Sequence, residues 1–212
     1  MMNYNEYLNQ LANKFQQMVL GAPKVGPVFT EDFGWVNHRY ESSLFRLAHI
    51  ERYWDKNIEV LHFTTFPHKW SPEPIFGFDV IATKTMITGC YMDLSPGLKD
   101  YPFDNGIDFK DRKPLPDWAT VFSDKFIMLK PESDEEFIRF CDWVLGRYKW
   151  YLNSILWMEH KVEDIGSVIE KQNIYCQIQA TNPRTFSALK AKIGEERAKY
   201  FMTKILFPQI ET

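Results

Sequence analysis

The order of patterns along the chain predicts an α+β fold, a three-layer α/β/α sandwich with a central antiparallel sheet. Three observations point to it: a one-sided helical stripe at the N-terminus, a middle region of β-branched and aromatic segments separated by turn formers, and a return to helical spacing in the last third. With 212 residues, 45% hydrophobic and 16% aromatic, the chain has the material for one sizeable core, and residues 1–212 are read as a single domain.

The opening helix follows from Tyr4, Leu8, Leu11, Phe15, Met18 and Val19, which share one face, with Gly21 and Pro23 as its stop. Five segments then read as strands of a meander: "SLFRLAHIERYW", "IEVLHFTTF", "IFGFDVIAT", "TMITGCYMDL" and "ATVFSDKFIML". One extended loop, "GLKDYPFDNGIDFKDRKPLPDW", interrupts them before the last strand. Ser133 opens "SDEE", a capping-box pattern with Glu136, and begins a long helix carrying Phe137, Phe140, Cys141, Val144, Leu145, Tyr148, Leu152 and Ile155. A further helix is predicted from "NPRTF" to about Leu206.

Composition excludes several function classes. A net charge of −3 does not provide the dominant basic surface that coating nucleic acid requires. The first twenty residues carry Asn3, Asn5, Glu6, Asn9, Gln10, Asn13 and Lys14, so they do not form the apolar core of a secretion signal, and no later run is long enough to span a bilayer. A cytosolic protein is expected, with no membrane partner. Cys90, Cys141 and Cys176 are too few and too far apart for a disulfide framework, a zinc site of paired cysteines or a self-held iron–sulfur cluster, and no metal site is predicted. None of the ten glycines forms a dinucleotide fingerprint or a phosphate loop.

One stretch, "FPHKWSPEPIFGFDV", places the carboxyl of Asp79 inside an otherwise apolar strand, where an unpaired charge is expensive to bury. If Phe66 pairs with Ile75 in an antiparallel hairpin, partners have numbers summing to 141, and His62 faces Asp79 on the same sheet face. The pair is then either a mutually satisfied core pair or a site for moving protons.

Read together, "FRLAHIER", "VLHFTTFP", "PIFGFDV", "MDLSP", "LPDWATVFS" and "GEERAKYFMTKILF" resemble the ferredoxin-dependent bilin reductases, most closely the phycocyanobilin:ferredoxin oxidoreductase branch. The resemblance runs from about Leu44 to Phe207 with order and most spacings kept. It implies an α/β/α sandwich that binds biliverdin IXα between the sheet and the C-terminal helices. It also implies no cofactor of the protein's own, electrons from external reduced ferredoxin, and a cyanobacterial or phage-infected host cytosol. Asp79 matches the family's catalytic aspartate, buried to hold and deliver a proton, and His62 matches its active-site histidine. Glu51 aligns, after one gapped residue, with a glutamate used near the exocyclic vinyl group; a solvated strand glutamate is the other reading.

Asn182 stands where many relatives carry a second aspartate, and "NPRTF" also reads as an ordinary helix cap. An amide is no acid, so the resemblance leaves phycocyanobilin, phycoerythrobilin (the product of viral relatives) and a two-electron product open. Thr88 and Lys113 fall where the family offers a hydroxyl and a cation to the propionates, with Arg112 and Arg184 as neighbouring cations. Lys190, Lys192, Arg197, Lys199 and Lys204, with Lys149 and Lys161, are the candidates for a basic ferredoxin-docking face. A monomer is expected. A non-catalytic tetrapyrrole carrier would need the same slot but gains nothing from the His62–Asp79 pair.

Overall fold

The computed structural model describes residues 2–19, 21–25, 34–95, 120–123, 126–156 and 162–211. Its centre is one antiparallel sheet whose strands lie in sequence order: β1 (Trp35–Tyr40), β2 (Phe45–Trp54), β3 (Glu59–Pro67), β4 (Ile75–Ala82), β5 (Ile87–Ser95) and β6 (Ile127–Leu129). Each strand pairs with the one before it, as short connections favour. The register of β3 and β4 pairs Glu59 with Ala82 and Thr65 with Phe76, so partner numbers sum to 141 as predicted.

Successive strand residues point to opposite faces, and here both faces are buried. Ala48 and Ile50 of β2, Leu61 and Phe63 of β3, Phe76, Phe78 and Val80 of β4, and Cys90 and Met92 of β5 belong to one apolar cluster with α1 (Tyr4–Met18) and α2 (Asp134–Leu156). Phe63 is its centre, 4.3 Å from the Phe15 ring of α1 and 4.7 Å from the Tyr148 ring of α2. Asn3 caps α1 by accepting from the Glu6 amide, and Ser133 accepts from the Glu136 amide at the start of α2.

The alternate residues Trp35, Leu47, Phe66 and Ile75 join a second cluster with Tyr175, Phe201, Ile205 and Phe207. The covering elements are α3 (Ile165–Ala180), α4 (Pro183–Ile193), α5 (Glu195–Tyr200) and the π-helical turns Phe201–Leu206 that continue α5. Two helical layers therefore enclose one sheet, the expected sandwich.

Three details differ from the sequence reading. The last helix is broken at Gly194, whose φ of +81° is a left-handed conformation that glycine adopts without a Cβ clash. Helix α3 was not predicted, because its apolar residues form no single stripe: Ile165 and Ile174 are exposed, whereas Gln172 and Gln179 are buried. Strand β1 is a separate edge strand, absent from the five predicted segments. The predicted loop "GLKDYPFDNGIDFKDRKPLPDW" lies outside the described residues.

Candidate active site

The sheet face beneath the C-terminal helices carries an unusual number of polar groups. Register aligns Asn37, Glu51, His62, Asp79 and Tyr91 as successive partners across β1 to β5, a polar row perpendicular to the strands. The neighbouring row holds His49, Thr64, Gly77 and Asp93. Groups on such rows stand about 5 Å apart at Cβ, so each feels the charge of the next.

His62 is the hub. Its Nδ1 lies 2.7 Å from Asp79 Oδ1, and its Nε2 lies 2.8 Å from Thr64 Oγ1. The carboxylate accepts, so Nδ1 carries the hydrogen, and Nε2 either accepts from the threonine hydroxyl or, when the ring is charged, donates to it. Burial by itself favours the neutral ring, but the Asp79 charge, the hydrogen bond to it and the Glu51 carboxyl together raise the His62 pKa above its ordinary value.

Glu51 is the buried acid of the row. It is 8% exposed, the Trp35 indole donates to its Oε1 at 2.6 Å, and burial lifts its carboxyl to a pKa of about 7 against the opposing pull of His62 and Trp35. The solvated-strand reading of Glu51 does not hold. Asp79 differs from expectation in the other direction: its side chain is 40% exposed. The carboxyl was expected to be buried, but β4 presents it at the open side of the face, where one oxygen is held by His62 and the other is accessible. The group held inside is Glu51; the group presented outward is Asp79.

Asn182 caps α4, its Oδ1 accepting from the Arg184 and Thr185 amides at 3.0 and 3.4 Å. Arg184 extends from the first turn of that helix, exposed, with its charge acting on the Tyr91 phenol. Thr88 is an exposed residue near the β4–β5 turn, and its hydroxyl donates to the Ile81 carbonyl at 3.0 Å. Arg112 and Lys113 lie outside the described residues.

The sequence reading gave no role to His49, Trp35, Thr64 or Tyr91, though parity would have found them. His49 stands two residues from Glu51, Thr64 two from His62, and Tyr91 opposite Asp79. His49 Nε2 lies 2.9 Å from Asn37 Oδ1, and burial keeps its ring well below the usual histidine pKa, so it is a neutral neighbour 5.7 Å from His62 between ring centres. Phe201 and Phe207 roof the two histidines, at 6.4 Å from His49 and His62 respectively.

Of the basic residues considered for docking, Lys192 is paired with Asp55 at 2.8 Å and Lys190 with Glu195, while Lys199 and Lys204 are exposed. Lys149 lies on α2, in the opposite layer of the sandwich, and Lys161 is outside the described residues. Among the described residues no cluster of three His, Cys, Asp or Glu side chains could hold a metal, and no helix is long and apolar enough to cross a membrane.

Comparison with known proteins agrees with this architecture. A family model described as ferredoxin-dependent bilin reductase matches residues 26–208. The phycocyanobilin:ferredoxin oxidoreductase of a Synechococcus species is 29% identical over 187 residues, covering 81% of this chain and 74% of the relative. Its counterpart in Prochlorococcus marinus is 29% identical over 231 aligned positions, covering 96% and 92%. Among solved structures, that of PcyX superposes with a TM-score of 0.70 at 24% identity, over 96% of this chain and 99% of the other. Tomato phytochromobilin synthase in complex with biliverdin gives 0.74 at 18% identity, over 95% and 82%. At these identities the two structures establish likeness of fold.

Proposed function

The chain belongs to the ferredoxin-dependent bilin reductases, and from that premise we propose that it reduces biliverdin IXα to a four-electron phycobilin, phycocyanobilin or phycoerythrobilin, with electrons from reduced ferredoxin and protons from Glu51, His62 and Asp79. The observation that carries the reading is the alignment of these three side chains on adjacent strands of the face roofed by the C-terminal helices. A bilin lying between the sheet and the C-terminal helices would rest against all three, and the tomato neighbour of the same fold was solved in complex with biliverdin.

The chemistry suits the groups. Ferredoxin delivers one electron at a time, so each two-electron step passes through a bilin radical and consumes two protons. Asp79, open to the face, is the donor that meets the substrate. Asp79 and Glu51 outweigh the burial of His62 and raise its pKa, which suits the ring to hand a proton to Asp79 through the Nδ1 contact. Glu51, with a pKa of about 7, is divided between its two forms at physiological pH and serves as the second proton reservoir of the row. Asn182 provides the helix cap and no acid, and Thr88, Arg112, Lys113 and Arg184 are assigned to the propionates. A single domain is assigned the whole reaction, and Lys199 and Lys204, which are exposed, are assigned to ferredoxin docking.

The test is anaerobic incubation of the purified protein with biliverdin IXα, ferredoxin, ferredoxin reductase and NADPH, with products identified by chromatography and absorbance. A phycobilin reduced beyond the dihydrobiliverdin stage is expected, at a rate that falls with added salt. An unchanged bilin spectrum, or reduction by NADPH without ferredoxin, would overturn the reading.

A further inference from the structure

Helix α3 holds the chain where it leaves the roof of the site. The π-helical turns end at Phe207, whose amide donates back to the Met202 carbonyl at 3.1 Å and whose φ of −127° and ψ of 61° take the backbone out of the helix. Pro208 follows and has no amide hydrogen with which to continue the ladder. The next backbone groups are met by α3 instead. Cys176 Sγ donates to the Pro208 carbonyl at 3.6 Å, Asn173 Nδ2 donates to the Ile210 carbonyl at 3.1 Å, and Asn173 Oδ1 accepts from the Ile210 amide at 2.8 Å. Gln177, on the same helix face as these two residues, bonds the Gln209 side chain at 3.1 Å.

A carboxamide presents a donor and an acceptor side by side, so Asn173 pairs with both backbone groups of Ile210 as a neighbouring strand would. The adjacent Gln172 points to the sheet, accepting from Arg46 Nε at 2.8 Å and donating to the Pro67 carbonyl at 3.1 Å, so α3 is itself fixed to the strands. A continuous set of contacts therefore runs from the sheet through α3 and the strap 208–210 to Phe207. The buried Phe207 ring stands edge-on to His62 at 6.4 Å between centres and to Tyr175 at 6.3 Å. Phe201 lies at the start of the same turns and is anchored on the Trp35 ring at 4.6 Å. Phe207 lies at their end, so its place depends on what holds the strap.

We propose that Asn173 is a positioning residue for the bilin site: it fixes the strap 208–210 on α3 and thereby holds the Phe207 ring over His62, setting the depth of the slot in which the tetrapyrrole lies. This rests on the bilin reading above and adds to it a residue, outside the slot, on which retention of the substrate depends.

The experiment has a substrate-free arm and a binding arm, each run on the wild type, Asn173→Ala, Phe207→Ala, Asn173→Ala with Phe207→Ala, and Ile210→Pro. The last removes the amide hydrogen that Asn173 accepts and breaks the strap from its own side, so the test does not depend on the folding of Asn173→Ala. In the first arm the His62 ring-proton resonance, assigned by its loss in His62→Gln, is followed by nuclear magnetic resonance. Removing the aromatic ring in Phe207→Ala should shift it, and Asn173→Ala and Ile210→Pro should shift it in the same direction. In the second arm, reductant-free absorbance titration with biliverdin should show affinity falling about tenfold in Phe207→Ala and about three- to tenfold in Asn173→Ala and Ile210→Pro, since two ordinary hydrogen bonds hold the strap. The double variant should match Phe207→Ala within about twofold, because Asn173 acts through that ring. A His62 resonance left at its wild-type position by both strap variants, or losses that multiply in the double variant, would overturn the assignment of Asn173. Failure of the wild type to bind biliverdin would instead overturn the bilin reading, with the His62 resonance still deciding whether Asn173 places Phe207.

Discussion

Glu51→Gln isolates the proton held inside the sheet. Glutamine keeps the shape of the side chain and an oxygen to accept from the Trp35 indole, so the change removes charge and little else. Lifting this carboxyl from 4.5 to about 7 means that the folded chain binds the proton more tightly than the unfolded chain. The stability it contributes is therefore fully present below about pH 4.5 and declines as pH rises through 7. At about 1.4 kcal/mol per pH unit, the wild type should lose ~3 kcal/mol over that interval, a loss Glu51→Gln should escape. His62 has the same sign, because its pKa is also raised, and its contribution fades as pH rises through the folded value. That decline persists in the variant, reduced because Glu51 no longer helps to hold the imidazolium. The assay is urea denaturation of the substrate-free proteins from pH 5 to pH 9 at fixed ionic strength. The two stability curves should lie close together near pH 5, draw apart between pH 5 and 7 and keep that separation above pH 7, with the variant the more stable. Curves that run parallel within about 0.5 kcal/mol would show that the Glu51 carboxyl is not held by burial, and the proton-reservoir role would fall with it.

Asp79→Asn should still bind biliverdin while turnover falls at least about a hundredfold, with a bilin radical detectable by electron paramagnetic resonance; near wild-type product formation would make Asp79 structural. Trp35→Phe removes the donor that steadies ionised Glu51, so the pH at which stability declines should move upward, read from the same denaturation series. Asn182→Ala should destabilise the protein by about 1 kcal/mol through loss of the α4 cap, whereas Asn182→Asp should retain the cap, so any change in its product distribution reports on the added acid. Phe63→Ala should cost about 3–5 kcal/mol, measured by chemical denaturation, because its fully buried ring packs against both α1 and α2.

The sequence by itself determined the order of layers, and it made the hairpin register and the polar pair legible as an expectation that the structure bears out. Strand alternation puts the apolar residues of β3 and β4 on a common face, and the pairing of Phe66 with Ile75 assumed across the Pro-rich turn gives the observed register, with His62 opposite Asp79. The long helix α2 was legible because its buried residues form one stripe; α3 was not, because its stripe is mixed and its burial is decided by what packs against it. Only the tertiary structure decided which carboxyl is buried. Glu51 and Asp79 both stand in apolar strands, and local sequence cannot distinguish them, since burial depends on elements distant in the chain. Trp35 and Phe201 pack over the β2 side of the row and exclude water from Glu51, while the β4 side remains open at Asp79. The division of labour between a held proton and a presented one therefore depends on where the C-terminal helices rest on the sheet, a long-range packing outcome that no single stretch of sequence encodes.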